Sequence, residues 1–595
     1  MKLSPFPRQL WLLPLVLLVF TYLFVNTAWV TEDAFITFRS VNQLLAGNGP
    51  VWNLGERVQV YTHPLWYGLL ALTTGLGLPS YWAALLLSFL CLLGVLTLLF
   101  HLARRLEQSA SPGAPGETNG QHRTASSGGS ASLLLALLFL LSLSRSFIDY
   151  STSGLENPLL HLLLLAYLAV YLSASSLWQR FFWTTFIYGL LFLTRPDGII
   201  LVTPASLLLW GQMLKARQPW LRSALLALSP AIAWELFSLI YYGSLVPNTA
   251  LAKLNLDYPA AILHRNAWAY FHRNAQFDPL ALPLILLALV AGLLQGLRRS
   301  SGLLLALTLG LVLQLGYIIH VGADYMLGRF LSSSVLLAVV VLLLGAPAAT
   351  IPPARPLGRW LGLGGAVLLL LWQPFNYRSS WNLNDPFFIP LSASDRRGFF
   401  SDERASYYPD LGLLRVLFAH GGKFGPRVSK YMSMGQSAEG RYGLSCFIGM
   451  YGWGMSLDKQ IIDPMALPEP FLARLPARDD AHIGHYERAL PPGFIDSRLD
   501  DVNKLKEPHL AALYEDVWLA THSPELFSWA RLAAIWRLNT GHYRDMGRYF
   551  DRNDVNLREL GIDDPQLLEL SYQYHREHKF YDFRPSVCIR MLRIQ

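Results

Sequence analysis

The stretch Trp29–Arg39, WVTEDAFITFR, closes the first hydrophobic run of the chain and decides how the rest is read. Leu10–Val30, which leads into it, is apolar and has the roughly twenty residues that a lipid-spanning helix needs. Lys2 and Arg8 precede that run. The preference of basic residues for the cytoplasmic side then puts its start inside and Glu32–Asp33 just outside. An acidic pair at such a point is either a solvated helix end or the reactive end of a membrane enzyme, and the choice depends on what the other loops place beside it. A cleaved signal peptide over Lys2–Ala28 is the competing reading. It is the weaker one, because the run is long and no small-x-small cleavage site follows.

Composition sets the class. Of 595 residues, 53% are hydrophobic and only 15% charged, against about 25% charged in soluble domains. The net charge of +8 gathers in loops where topology alone would put it, so it does not point to nucleic acid. Apolar runs recur at Tyr81–Ala103, Leu133–Phe147, Pro158–Leu172, Phe181–Leu193, Ile199–Leu214, Ala224–Tyr242, Leu280–Leu297, Leu303–Ile319, Phe330–Leu344 and Leu361–Phe375. With the first, that predicts about eleven spans, the N-terminus inside and the C-terminus outside. Pro64–Leu78 is short for a span and reads as a helix on or dipping into the outer surface. Ser109–Ser132 is rich in Ser, Gly and Pro and reads as a flexible inner linker.

Charge follows this threading. Arg104, Arg105, Arg123, Arg180, Lys215, Arg217, Arg222, Arg298, Arg299, Arg355 and Arg359 fall in inner loops, with Glu107 and Glu117 their only acids. Outer connections mix signs: Glu32, Asp33 and Arg39; Arg145, Asp149 and Glu156; Arg195 and Asp197; Lys253 and Asp257; Asp324 and Arg329. Charges beside hydrocarbon are costly and face protein or a wet cavity. Their recurrence at successive outer ends predicts one shared polar cavity there. Each also has a structural reading: Arg195 can cap a helix break, Lys253 can snorkel, Glu156 can favour a helix N-terminus, and Asp149, Asp197 and Asp324 can simply pair with Arg145, Arg195 and Arg329.

From Asn376 the composition turns soluble, and about 220 residues suffice for a domain with its own core. The expected architecture is thus an all-α polytopic membrane bundle over 1–375, followed by an extracytoplasmic α+β domain over 376–595. Leu510–Asn539 has helical apolar spacing, while Cys446–Met455 and the QIIDP segment read as strands. Cys91 falls in a span as a small apolar filler. Cys446 and Cys588 either form a disulfide or stay as two buried thiols. His482 and His485 are better explained structurally than as metal ligands, no Cys/His spacing fits a zinc site, and a divalent-metal requirement stays open.

A carboxylate and arginines at an outer membrane face suit transfer of a group from a lipid phosphate. The carboxylate takes the acceptor proton, and an arginine fork stabilises the departing phosphate. Nucleotide sugars are absent outside the cell, so a membrane-anchored phosphosugar is the expected donor. TEDAFITFR, NLGERVQVYTHPLW (Asn53–Trp66), STSGLENPL, TRPDG, YYGSLVPNTALAK and GADYMLGRF together resemble the AftB-type arabinofuranosyltransferases of the GT-C superfamily, as do IIDPMALPEPFLARLP and IGHYERALPPGF. The resemblance covers nearly the whole chain. It implies a GT-C fold, a polyprenyl-phosphoryl arabinofuranose donor, a glycan or protein acceptor, and a site facing the periplasm of a bacterial inner-membrane protein. Asp33 is the expected base and Glu32 its partner. Arg39, His63, Glu156, Arg195, Asp197, Asn248, Lys253, Asp324 and Arg329 are the expected substrate-binding residues. The chain departs from the family pattern at Glu32 (Asp is usual), at His63 (Asn is usual) and at Ala323 in GAD for GGD. A single base fits an inverting displacement, whereas retention calls for a carboxylate nucleophile. Two other classes fit less well: a transporter, which usually shows internal repeats, and a non-catalytic assembly factor, which has no need of an acid–base cavity.

Overall fold

The computed structural model describes residues 12–110, 129–217, 219–346, 388–392, 395–438, 440–446, 448–479, 481 and 483–553. The first half is helical throughout: α1 (Leu12–Thr27), α2 (Glu32–Leu45), α3 (Pro64–Gly75), α4 (Ser80–Ala110), α5 (Gly129–Leu143), α6 (Arg145–Tyr150), α7 (Asn157–Tyr171) and α8 (Leu177–Thr194). It continues with α9 (Thr203–Lys215), α10 (Trp220–Ala227), α11 (Ser229–Tyr241), α12 (Asn248–Leu254), α13 (Ala260–Phe277), α14 (Ala281–Arg298), α15 (Gly302–Val321) and α16 (Ser332–Gly345). Helices occupy every apolar run named above except Leu361–Phe375, which lies outside the described residues. Among the described residues, three helices can cross a membrane by length and composition, Ser80–Leu106, α14 and α15, or five if the bent pairs α1–α2 and α10–α11 each count as one span.

Two apolar runs are less regular than their composition suggests. Leu133–Phe147 breaks at Ser144, whose hydroxyl accepts from the Phe147 amide (3.4 Å) and so caps α6. Ile199–Leu214 begins within a 3-10 turn over Pro196–Leu201 and becomes α-helical only at Thr203. Proline lacks the amide that would continue the ladder.

The first break organises the molecule. α1 and α2 meet at 88°, and the chain between them is tied sideways to the 149–157 loop. The Thr31 amide donates to the Ser153 carbonyl (3.0 Å) and the Trp29 indole to the Asp149 carbonyl (2.9 Å). Gly154 makes this approach possible: its φ is +78°, and a Cβ there would lie 2.9 Å from Val30. α2 then starts with two acids in its first turn, where the helix dipole favours them.

The later region carries β1 (Phe388–Ser392) antiparallel to β2 (Asp395–Ser401), then α17 (Glu403–Leu411), α18 (Pro426–Gln436), β3 (Tyr442–Leu444), α19 (Ile448–Gly454), β4 (Gln460–Ile462) parallel to β3, α20 (Phe494–Asp500), α21 (Pro508–His522) and α22 (Trp529–Asn539). The segment Cys446–Met455, expected as a strand, is helical over α19. The Glu32 carboxylate accepts from the Gly449 (2.6 Å) and Met450 (3.2 Å) amides, satisfying the free donors of a helix start. The strand in QIIDP and the helices within Leu510–Asn539 form as expected. Arg39, fully buried, donates to the carbonyls of Trp52, Gly452, Met455, Ser456 and Lys459. Arg498 is buried against Glu56 (3.2 Å) and Glu469 (3.5 Å). The later region is therefore clamped onto α2 and the loop after it by charge-assisted bonds. Cys91 is buried and free, Cys446 is disulfide-bonded, and Cys588 lies outside the described residues.

At Gly449 any side chain would overlap the Glu32 backbone oxygen and carboxylate. Gly449→Ala is expected to destabilise the protein by about 1–3 kcal/mol, the usual cost of overpacking. Gly68→Ala, with nothing within 4 Å, should cost nothing. Thermal unfolding of the two variants in detergent checks the contrast.

Candidate active site

The loops joining α1–α2, α3, α6–α7, α8–α9 and α15–α16 converge on one buried carboxylate, Glu156. It stands at the N-cap of α7, 1% exposed. Arg195 Nη1 lies 3.2 Å from its Oε1, Arg329 Nη2 3.3 Å from the same oxygen, and His63 Nδ1 3.3 Å from Oε2. Each partner is held from behind. Arg195 Nε donates to Asp197 (2.8 Å), and His63 Nε2 bonds the Thr37 hydroxyl (2.9 Å). Arg329 Nη1 reaches Asp33 (3.5 Å) and Asp324 (3.8 Å). Burial alone would raise the Glu156 carboxyl, but Arg329, His63 and Arg195 outweigh it and hold it down at about 2. Burial lowers His63, and the nearby arginines add to this against the pull of Glu156.

Seven expected site residues thus share one cluster: Asp33, His63, Glu156, Arg195, Asp197, Asp324 and Arg329. Accessibility separates their roles. The Asp33 side chain is 22% exposed, against 7% for Asp324 and 1% for Glu156. Only a carboxylate that a ligand can reach is able to take a proton from it. The Arg329 side chain is 10% exposed, and its Nε is buried without a hydrogen-bond partner among the described residues.

The other four expected residues lie elsewhere. Glu32 points away to cap α19, and Arg39 holds the 452–459 backbone. Asn248 donates to the Ala466 (2.9 Å) and Leu467 (2.8 Å) carbonyls and lines a separate small cavity of about 20 Å³ with Arg57 and Arg474. Lys253 is half-buried in the last turn of α12.

Glu403 belongs to the cluster and was not expected. Its Oε2 accepts from the Thr31 hydroxyl (3.1 Å), two residues before Asp33. Burial pushes its carboxyl up to about 7; hydrogen bonds from Ser401 and Thr31 oppose this, while Asp33 and Asp324 add to it. Strand β2 carries it there, because Ser401 exchanges backbone bonds with Tyr325 (2.8 Å) and Leu327 (3.1 Å) of the GADYMLGRF loop. Beside it, Asp149 pairs with Arg404 (2.7 Å) and Arg145 (3.2 Å), and Arg145 pairs with Asp402 (2.7 Å). The His485 ring packs 4.2 Å from that of Tyr325; His482 lies outside the described residues. Among the described residues, no three His, Cys, Asp or Glu side chains are placed to hold a metal ion.

No family model matches the chain. It is 28% identical over 550 residues to a terminal β-(1→2)-arabinofuranosyltransferase of Mycobacterium tuberculosis, an alignment covering 78% of this chain and 82% of that protein. It is 30% identical over 377 residues to the terminal β-(1→2)-arabinofuranosyltransferase of Corynebacterium glutamicum, covering 57% of this chain and 50% of the relative. The chain is a glycosyltransferase. It resembles the AftB-type arabinofuranosyltransferases across most of its length.

The two buried carboxylates give opposite pH dependences. Glu156, with its folded pKa depressed to about 2, adds stability that is complete above pH ~4.5 and is lost as pH falls toward 2. Glu403, raised to about 7, binds more protons folded than unfolded, so its ionisation lowers stability as pH rises from ~4.5 to ~7. Each shifted pKa unit corresponds to about 1.4 kcal/mol. Melting temperature against pH should therefore slope less steeply between pH 5 and 7 in Glu403→Gln than in wild type. Glu156→Gln should cost about 3–5 kcal/mol at pH 7, because it leaves two buried arginines short of an anion.

Proposed function

We propose that the chain transfers arabinofuranose from a polyprenyl-phosphate donor to a glycan at the outer face of the bacterial inner membrane. The observation that carries this reading is the cluster in which Arg329 and Arg195 are both oriented by Glu156, with Asp33 as its most accessible acid. Asp33 takes the proton of the acceptor hydroxyl, whose oxygen attacks the anomeric carbon while the bond from that carbon to the phosphate oxygen breaks. The phosphate leaves with added charge. Arg329 and Arg195 answer that charge, and because it develops in the transition state their contribution appears in turnover as well as affinity. The sugar identity rests on the activity for which the two relatives are named. A lipid-linked donor follows from the absence of nucleotide sugars outside the cell. In this reading the helices form a GT-C bundle of about eleven spans, its N-terminus in the cytoplasm, and the region after Asn376 lies in the periplasm and presents the acceptor.

Purified protein in lipid nanodiscs, supplied with polyprenyl-phosphoryl arabinofuranose and an arabinan fragment, is expected to release polyprenyl phosphate. Asp33→Asn keeps the side-chain size and removes the base, so turnover should fall at least ~10²-fold with donor binding retained. Turnover near the wild-type rate would move the base to Asp324 or Glu403. Arg329→Lys keeps the charge and loses the fork. It should be partly active where Arg329→Ala is nearly inactive, read from the same release assay.

A further inference from the structure

Helix α22 carries a face of large aromatic side chains that no described residue covers. Trp529 is 87% exposed, Trp536 70%, and Phe527, just before the helix, 70%. The two tryptophans are seven residues apart, which puts them on one side of a helix. The adjoining side is packed. Arg531 is buried and donates to the Tyr241 carbonyl (3.1 Å), and Asn539 donates to the Gly243 carbonyl (2.9 Å). Ile535, also buried, sits against Gly243, where a Cβ would lie 3.2 Å from it. α22 is thus fastened to the end of α11, the second half of a bent apolar pair able to cross a membrane.

The surface around that joint is largely apolar, with Glu235 the one acid of α11. α11 exposes Ile232, Leu236, Phe237 and Ile240 at helical spacing, the pattern of a lipid-facing side. Leu245 and Val246, exposed on the loop beyond it, lie between this side and α22, with the Leu245 amide 3.4 Å from Asn539 Oδ1. The aromatic face then continues the lipid-facing surface past the end of the span. Tryptophan is the residue that tolerates this position, since its ring is apolar and its N–H is wetted at the headgroup level.

We infer that α22 docks on the outer leaflet of the bilayer, with Trp529, Trp536 and Phe527 inserted at the headgroup–acyl boundary. The occupant is the lipid surface, because the patch continues a flank that lipid must already cover. α22 packs on α21, whose Thr521 carbonyl receives the Arg57 amide (3.0 Å). Inserting the aromatic face therefore fixes the later region against the membrane on the side of the Asn53–Trp66 loop that bears His63.

The inference rests on reading α11 as membrane-spanning, and the test separates the two. Trp536→Cys and Phe237→Cys, each in a Cys91→Ala background, are labelled with an environment-sensitive fluorophore in full-length protein in nanodiscs. Lipids carrying a shallow or a deep spin-label quencher, and aqueous iodide, are then compared. The expected result is quenching of the 536 label by the shallow lipid quencher, with loss of iodide quenching relative to free dye, while the 237 label responds to the deeper quencher. Free iodide quenching at 536 with 237 still shielded overturns the docking and leaves the span intact. Iodide quenching at both sites overturns the docking and the span together. Protection of 536 that requires added arabinan makes the face a glycan platform, which also overturns the inference.

Discussion

The buried charge of Glu156 is the constraint on which the rest of the arrangement depends. An isolated carboxylate at that depth would take up a proton, yet here Arg329, Arg195 and His63 hold it ionised. Those partners come from the loop before α3, the turn after α8 and the turn before α16. One anion therefore sets the relative positions of three loops far apart in sequence. Coulomb attraction in a low-dielectric setting is strong enough to do this only when every member is paired. Asp197, Thr37, Asp33 and Asp324 complete the pairing.

The second constraint is the tie between α2 and the region beyond Phe388. Arg39 and Glu32 lie seven residues apart, on the same side of α2, and both bond backbone groups of 449–459 rather than entering the cluster. They hold α2, and so Asp33, at a fixed height. The pairing of Ser401 with the Tyr325–Leu327 backbone does the same for the loop bearing Asp324 and Arg329. A carboxylate that must meet a hydroxyl within a few tenths of an ångström benefits from such bracing. This explains why residues that read as binding groups in sequence serve the site from a distance.

Much of this was legible in sequence. Apolar runs long enough for helices are a one-dimensional signal, and the mixed charges at their ends mark where a polar cavity has to form. That located Asp33, Glu156, Arg195, Asp197, Asp324 and Arg329 before any geometry was known. What the pattern does not encode is which way a side chain turns after a helix break. Glu32 and Asp33 are adjacent, yet successive residues on a helix face different directions; one caps α19 and the other enters the cluster. Glu403 was invisible for another reason. It lies in a polar stretch without periodicity, and only the strand pairing of Ser401 with the 325–327 loop brings it to Thr31. The α19 segment misled because its aromatic, glycine-interrupted sequence fits a strand locally, while a carboxylate more than four hundred residues away supplies its helix cap.

The most direct test of the account is a structure of the protein in nanodiscs with a non-transferable phosphonate analogue of polyprenyl-phosphoryl arabinofuranose. The phosphonate oxygens are expected within hydrogen-bond distance of the Arg329 guanidinium, with the anomeric carbon facing Asp33. A phosphonate bound away from this cluster, for example beside Arg57 and Arg474 in the cavity that Asn248 lines, would contradict it.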